Sequence, residues 1–542
     1  YVRIENQYMN TDGGGIQRTA GNTIKSTTRY SWLLNTNRSG MRFDSWCAGH
    51  DGMVHNVVSA GQKRGFRLKG DRHKIYHIMG YDNYSHDISL TKIKYCGEAG
   101  SAERDSLTSN FSGRDQFNNK GNINTEVHNV AAGWSFECNS PDCGDPEITG
   151  GGPALVAENV EQLLGKSGIW YGRSFPIDKR TNSHSFVQLE LEDPFIDNRG
   201  RSDEQLVYLF GKNPWKNNQI QNYDFRPKKG SVLIDGGVVI PGINDGQDMD
   251  FNHPPLYPGQ NRKYIGAAPD IGPYEYGDSV YWIPGYRYPH PSVPIPSNGT
   301  VDLPMEYGLA WNYPYKRDYS NVTAVVNVVG PGVSRTETFQ YPNNVLFETF
   351  EPGGTYNWSV SVDGVNGGNW TFTVDDEVYP LNDRSVDTTA TVTLPKYPIN
   401  NLIVSNNRLA FLRFDIPSSV NSSYQVILNL VPEKIVKLNG GIVLLEHDYK
   451  GWYESFGTNN IGLVDKSLLT PIDTISSLIA DSLLSLDLSA FIDSSGEYSF
   501  ALGIINVGDS VSFYSTEKLL TDMSNNYAPN KKVWPSLSFS KD

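Results

Sequence analysis

A segment that repeats itself constrains this chain most. Gly40-Met41-Arg42-Phe43-Asp44 returns as Gly65-Phe66-Arg67-Leu68-Lys69, and Asp87-Ile88-Ser89-Leu90 echoes it again one similar interval further on. Between these lie Val54-His55-Asn56-Val57 and Lys74-Ile75-Tyr76-His77-Ile78, and Val127-His128-Asn129-Val130 restates the first of them. Each piece is short, alternates apolar with polar residues and is rich in β-formers, so each reads as a strand. Strands that return every roughly 21–25 residues, with Gly, Asn and Asp between them, bury their apolar faces only by stacking, which is the mark of a solenoid. The fold class is all-β, and a parallel β-helix fits the period. Met41, Phe43, Phe66 and Leu68 then point inward, because side chains alternate faces along a strand. Arg42 and Arg67 stack on the outer face, beside Asp44 and Lys69.

The chain has 542 residues and so holds several domains. Its 52 Gly, 31 Pro and 12 % aromatics fit a turn-rich β protein and exclude a disordered one. No apolar run reaches the roughly 18 residues that cross a membrane as a helix. The opening Tyr1-Val2-Arg3-Ile4-Glu5-Asn6 already reads as a strand, and a first coil needs a cap, so an N-terminal piece, in part an export signal, is expected to be missing. Cys47, Cys96, Cys138 and Cys143 allow two disulfides in three connectivities. Cys138 with Cys143 would close a small loop and Cys47 with Cys96 would join coils, which suits export; buried free thiols are the alternative.

Charge is distributed unevenly. Residues 1–120 carry 17 Lys and Arg against 11 Asp and Glu, while the remainder carries 29 against 49. A basic segment in an acidic protein predicts an anionic ligand there, or else a merely solvated outer face. No nucleic-acid motif accompanies it, so an anionic polysaccharide is the expected partner. Five of the ten histidines, His50, His55, His73, His77 and His86, crowd into the middle of this segment.

Two later stretches carry a resemblance. Phe225 followed by Gly230-Ser231-Val232-Leu233-Ile234-Asp235-Gly236-Gly237, then Gly266-Ala267-Ala268-Pro269-Asp270-Ile271-Gly272-Pro273-Tyr274-Glu275-Tyr276-Gly277, resemble the closing segment of exported right-handed β-helix proteins, among them polysaccharide lyases. The resemblance implies a right-handed helix ending near residue 278, with Asp270 and Glu275 structural or ion-binding rather than catalytic. It leaves the reaction open, since lyases, glycosidases and adhesins share that ending. Residues 279–297, with their prolines, read as a stiff linker that cannot continue a sheet. Trp311 and the run Tyr356-Asn357-Trp358-Ser359-Val360 after a Gly turn resemble a fibronectin type III module over 298–375. Arg408 to Asp415, Trp452-Tyr453-Glu454, Leu486-Asp487-Leu488 and Ser515-Thr516-Glu517 resemble a DNRLRE-type jelly-roll over 376–542, whose relatives bind polysaccharides. Thr516 stands where that family carries an Arg. Further strands are expected at 154–157, 168–171, 185–191 and 205–209.

The chemistry is therefore expected on the β-helix, residues 1–278. β-Elimination on a uronate polymer needs a cation against the sugar carboxylate, a base for the C5 proton and an acid for the leaving oxygen. Arg67 or Ca2+ would neutralise, Lys69, His55 or His77 would act as base, and Tyr81 or Tyr84 as acid. Arg42, Arg64, Lys74, Tyr84 and His86 would bind substrate, and Asp82 with Asp87 could hold the ion. His55 and His128 occupy equivalent places in the repeat, so His55 also reads as a coil-position preference, and Asn56 with Asn129 as a turn ladder. The expectation is a secreted lyase on alginate or a sulfated marine polymer such as fucoidan. A glycoside hydrolase using two of Asp51, Asp82, Asp87 and Asp115 competes with it, as does a glycan-binding protein without turnover.

Overall fold

The computed structural model describes residues 2–5, 14–18, 26–34, 36, 39–43, 51–62, 64–69, 73–81, 86–91, 125–132, 155–157, 224–227, 229, 233–246, 262–388, 401–448, 465–515 and 533–541. The expected strands at 168–171, 185–191 and 205–209, all four cysteines, Asp82, Tyr84 and Trp452 lie outside the described residues.

Among the described residues the regular structure is almost entirely β. The N-terminal part begins with β1 (Arg3–Glu5), β2 (Gly14–Arg18), β3 (Thr27–Leu34), β4 (Ser39–Phe43), β5 (Met53–Ala60) and β6 (Arg64–Lys69). It continues with β7 (Lys74–Tyr81), β8 (His86–Thr91), β9 (Thr125–His128), β10 (Ala131–Ala132) and β11 (Leu155–Ala157). Strands β1, β3, β5, β7, β9 and β11 form sheet A in that order, with β10 beside β7, and β2, β4, β6 and β8 form sheet B. Every pairing within both sheets is parallel.

The repeat sets this register. Val58 pairs with Trp32 of the preceding rung and with Met79 of the next. In sheet B, Met41 pairs with Phe66 and Phe66 with Ile88. As alternation requires, Met41, Phe43, Phe66 and Leu68 are wholly buried in a core shared with Trp32, Val57 and Ile75. After β7 the interval widens to more than twice the repeat, with Lys74 opposite Glu126. The repeat's glycine has a steric cause: a Cβ on Gly40 would strike Ser59 Oγ and Gln62 Nε2 and stand 3.0 Å from the Gly65 carbonyl.

The segments 233–246 and 262–283 run across these strands as a strap. Leu233, Ile271, Tyr274, Tyr281, Trp282 and Ile283 are buried against the same core. Tyr274 Oη accepts from Trp32 Nε1 (2.7 Å) and donates to the Trp282 carbonyl (3.0 Å). The expected stiff linker at 279–297 is corrected here. Tyr281 and Trp282 are core residues, and β12 (Ser292–Ile295) pairs with a strand of the next unit. Two large aromatic rings gain more by burial than the prolines forbid, and Pro294 lies on an edge strand, where a missing N–H costs no ladder bond.

That unit adds β13 (Thr300–Leu303), β14 (Glu306–Asn312), β15 (Thr323–Gly330), β16 (Val333–Gln340), β17 (Val345–Thr349), β18 (Thr355–Val362) and β19 (Val365–Val374). It is a sandwich of a three-stranded sheet, β12-β14-β17, and a five-stranded sheet, β13-β19-β18-β15-β16. Tyr356 Oη donates to the Pro331 carbonyl (2.9 Å) and accepts from Glu351 N (2.7 Å), tying the corner before β18. A second two-sheet unit follows, with a four-stranded and an eight-stranded sheet. One continuous apolar cluster, from Leu303 to Phe539, joins both units.

Candidate functional site

Most of the expected site residues divide between the two sheets. Arg42, Arg64, Arg67, Lys69, His86 and Asp87 belong to sheet B, whereas His55, Lys74, His77 and Tyr81 belong to sheet A. In sheet B, Arg42 is the direct register partner of Arg67, and Arg67 of Ser89; Arg64 stands between Ser39 and His86. Neighbouring strands lie about 4.8 Å apart, so Arg42 and Arg67 are stacked as the repeat predicts. Arg42, expected on an open outer face, is however 4 % exposed, while Arg64 and Arg67 are partly exposed. Of Lys69, Tyr81, His86 and Asp87 the structure describes the backbone alone.

Sheet A holds two columns side by side. Arg29, His55, Tyr76 and His128 are successive register partners. The next residue in each strand, Tyr30, Asn56, His77 and Asn129, has a left-handed backbone, with φ of 45, 50, 47 and 55°. Asn enters this region most readily among residues with a Cβ, so the Asn56 and Asn129 turn ladder of the repeat is real, and Tyr30 and His77 are its other rungs. The pairing of β3, β5 and β7 skips these residues and resumes one residue later, so each rung has a local kink at the same point, which presents a row of side chains to the strap.

His77 is the hub of that contact. Its Nδ1 is 2.7 Å from the Gly272 carbonyl, and its Nε2 faces Asn129 Nδ2 at 2.9 Å and Asn244 Nδ2 at 2.8 Å. Backbone groups orient both amides: Asn129 Oδ1 accepts from Val238 N, Asn244 Oδ1 accepts from Ile240 N, and each Nδ2 donates to the Val238 carbonyl. Nδ1 must therefore carry the proton while Nε2 accepts two hydrogen bonds. Burial pushes the imidazole down to about 4, outweighing the Gly272 carbonyl, with the nearby His55 and His128 adding to it. A ring so engaged has no lone pair left for a substrate proton, which corrects the expectation of His77 as base.

His55 is corrected for a related reason. It is 4 % exposed, with Nδ1 2.9 Å from Asn56 Oδ1 and its ring edge-on to Tyr30. Ile240 and Ile243 of the strap pack on the neighbouring Tyr76 and, with Met53 and Val238, roof this face. The strap thus covers the sheet A half of the expected cleft.

Carboxylates hold the strap's own turns. Asp270 accepts from Asp235 N (2.8 Å) and Tyr276 N (2.6 Å), Glu275 from Asp270 N (3.1 Å) and Ile265 N (3.2 Å), and Asp235 from Ala267 N and Ala268 N. Burial holds Asp270 up at about 6 and, with the neighbouring Asp270 charge, Glu275 at about 8. Both act as turn caps, in line with a structural role. The Ca2+ expectation rests on Asp82 and Asp87, whose side chains are not described, and among the described residues no group of three or more ligating side chains gathers.

Sequence reading missed Gly272, Asn244 and Val238, the strap's half of the contact. The available signal was the alignment of Ile75-Tyr76-His77-Ile78 with the two Val-His-Asn-Val segments, which puts His77 at the Asn position.

No family model matches the chain, and no curated protein matches it. Among solved structures it is similar to a β-porphyranase of glycoside hydrolase family 86 from the human gut bacterium Bacteroides plebeius, at 10 % identity over 44 % of this chain and 35 % of that one, TM-score 0.14. It is also similar to carbohydrate-binding modules of the β-sandwich superfamily (11 % identity, 43 % of this chain and 98 % of that one, TM-score 0.14). The chicken CNTN1 FN1-FN3 domains give 11 % identity over 48 % and 71 % of the two chains, TM-score 0.15. The chain spans about a third of the length of the first of these. At such TM-scores these likenesses carry no weight for fold or activity.

Proposed function

We propose that this chain is an exported carbohydrate-active protein that engages an anionic polysaccharide along sheet B. In this reading residues 1–278 are a right-handed parallel β-helix, 279–297 join it to a fibronectin type III-like unit at 298–375, and 376–542 form a DNRLRE-like jelly-roll that binds glycan. The helix reading is supported by strands that alternate between two parallel sheets at a near-constant interval from β3 to β8. The observation that carries the partner is the partly exposed Arg67 on β6, with the buried Arg42 as its register partner. An exposed guanidinium on this face meets a sulfate or carboxylate of the polymer.

β-Elimination is the reaction this face would support. Arg67 would neutralise a uronate carboxylate, and with His55 and His77 engaged elsewhere Lys69 is left as base; of the two candidate acids, Tyr84 precedes β8 of this sheet in sequence, while Tyr81 ends β7 of sheet A. The test is absorbance near 235 nm with alginate, fucoidan, ulvan, carrageenan and pectin, with reducing ends counted in parallel. Rising absorbance matched by new ends, lost in Arg67→Ala, is the expected result. New ends without absorbance would make the protein a hydrolase. Binding without new ends would make it a glycan-binding protein, and no retention of any polyanion would remove the partner.

A further inference from the structure

A cleft of about 610 Å³ lies where the strap, the first sandwich and the second sandwich meet. Its size is within the roughly 300–1,000 Å³ of ligand sites. Phe347 on β17 projects into it and is 45 % exposed, and Tyr276 of the strap is 37 % exposed. The exposure of Phe347 is built. Its register partner across the sheet is Gly308, where a Cβ would come within 2.9 Å of the ring and 2.8 Å of Arg226 Nη1. Glycine lets the ring and the guanidinium share that spot. Arg226 is itself fixed by Asp224 (2.6 and 2.9 Å), by the Gly308 carbonyl (2.7 Å), and by the rings of Tyr281 and Tyr307 at 4.8 and 5.6 Å. An aromatic face is thereby held open over a rigid floor.

The polar lining decides the ligand. Six carboxylates and two cations border the cleft, which disfavours a polyanion. A basic peptide finds less to bind than that count suggests, because four of the six carboxylates already face a cation. Lys229 binds Glu306 (3.1 Å) and Asp415 (2.8 Å), Arg226 binds Asp224, and Arg335 binds Glu348 (2.9 Å). Asp375 accepts from Glu377 N (3.1 Å), and Glu377 from Tyr379 Oη (2.9 Å). Glu306, Asp415 and Glu348 are each answered by a cation within the protein, and since a carboxylate has about four acceptor sites, these three keep some for hydroxyl donors. A ligand with an apolar C–H face for Phe347 and several hydroxyls for these oxygens fits both halves of the lining. We propose that this junction cleft binds an uncharged oligosaccharide, at a site separate from sheet B.

The test is affinity electrophoresis of the full chain in gels containing hydroxyethylcellulose, xyloglucan, mixed-linkage β-glucan, galactomannan or arabinoxylan, with oligolysine binding measured alongside. Retardation by at least one neutral polymer, weakened about tenfold or more in Phe347→Ala, is expected. Tyr276→Ala should weaken it less, and both variants should keep the wild-type melting temperature within a few degrees. No retardation by any neutral polymer would overturn the proposal, as would retardation unchanged in both variants. Oligolysine binding lost in Phe347→Ala, without neutral retardation, would instead assign the cleft to a basic partner. Because alginate and fucoidan are absent from these gels, failure here is distinguishable from failure at sheet B.

Discussion

Two columns of the N-terminal stack come from the same repeat and do different work. The sheet B column, Arg42-Arg67-Ser89, sets a buried Arg42 beside a partly exposed Arg67, whereas the sheet A ladder, Tyr30-Asn56-His77-Asn129, turns its side chains into the strap. Both are marked in sequence by polar residues recurring once per rung. What separates them is a segment far downstream of Asn129 that covers one and not the other. Recurrence of a polar residue identifies a place in the coil; the covering segment decides whether that place meets solvent.

The sharpest break of this comparison is at His77. His77→Ala removes one donor and a double acceptor and leaves two oriented amides and a buried carbonyl unsatisfied, at about 1–3 kcal/mol each. The N-terminal transition in thermal or urea unfolding should therefore fall steeply. His77→Asn, which suits a left-handed backbone, should lose less. Equal losses would mean that the ring's contacts contribute nothing beyond the backbone turn.

Acid should act through the same ring. Its folded value, about 4, lies below the unfolded 6.5, so the unfolded chain binds the proton first. This contribution is complete above about 6.5 and is lost as pH falls toward 4, by about 3 kcal/mol over the window. Glu275 works the other way: raised to about 8, it weakens the fold as pH climbs from about 4.5 toward 8. Asp270, raised to about 6, acts with Glu275, so the test is the difference: the gap in urea midpoint between wild type and His77→Asn should widen from pH 4 to about 6.5 and stay level above it.

Tyr274→Phe tests the strap farther along. It strands Trp32 Nε1 in the core and should cost about 1–3 kcal/mol. The smallest stability effect belongs to the other column. Arg67→Ala should stay within about 0.5 kcal/mol of wild type while losing retention of sulfated or uronate polymers. An Arg67→Ala variant that unfolds early but still binds would reverse the roles assigned to the two columns.

The sequence carried most of what is local. The inward set Met41, Phe43, Phe66 and Leu68 and the Arg42–Arg67 pairing follow from alternation and period, and Asn56 with Asn129 from their backbone preference. The sandwich strand around Tyr356 is legible because its buried residues alternate, and the one around Trp311 because it is a short, mostly apolar run. The covering of His55 and His77 was not legible. Strap residues such as Val238, Asn244 and Gly272 have no periodicity, and their partners lie far away along the chain. The linker misreading has a similar origin, since counting prolines from 279 to 297 ignored what Tyr281 and Trp282 gain by burial.

The hub also fixes an order of events. His77 joins groups 52, 167 and 195 residues away, so a chain growing from its N-terminus makes the rungs long before it makes the strap that locks them. Contacts of such sequence separation close slowly. Until residue 272 emerges, the ladder side chains and the flank of the core beneath them lack their cover. Synthesis of the last fifth of the N-terminal part supplies the cover that closes the stack.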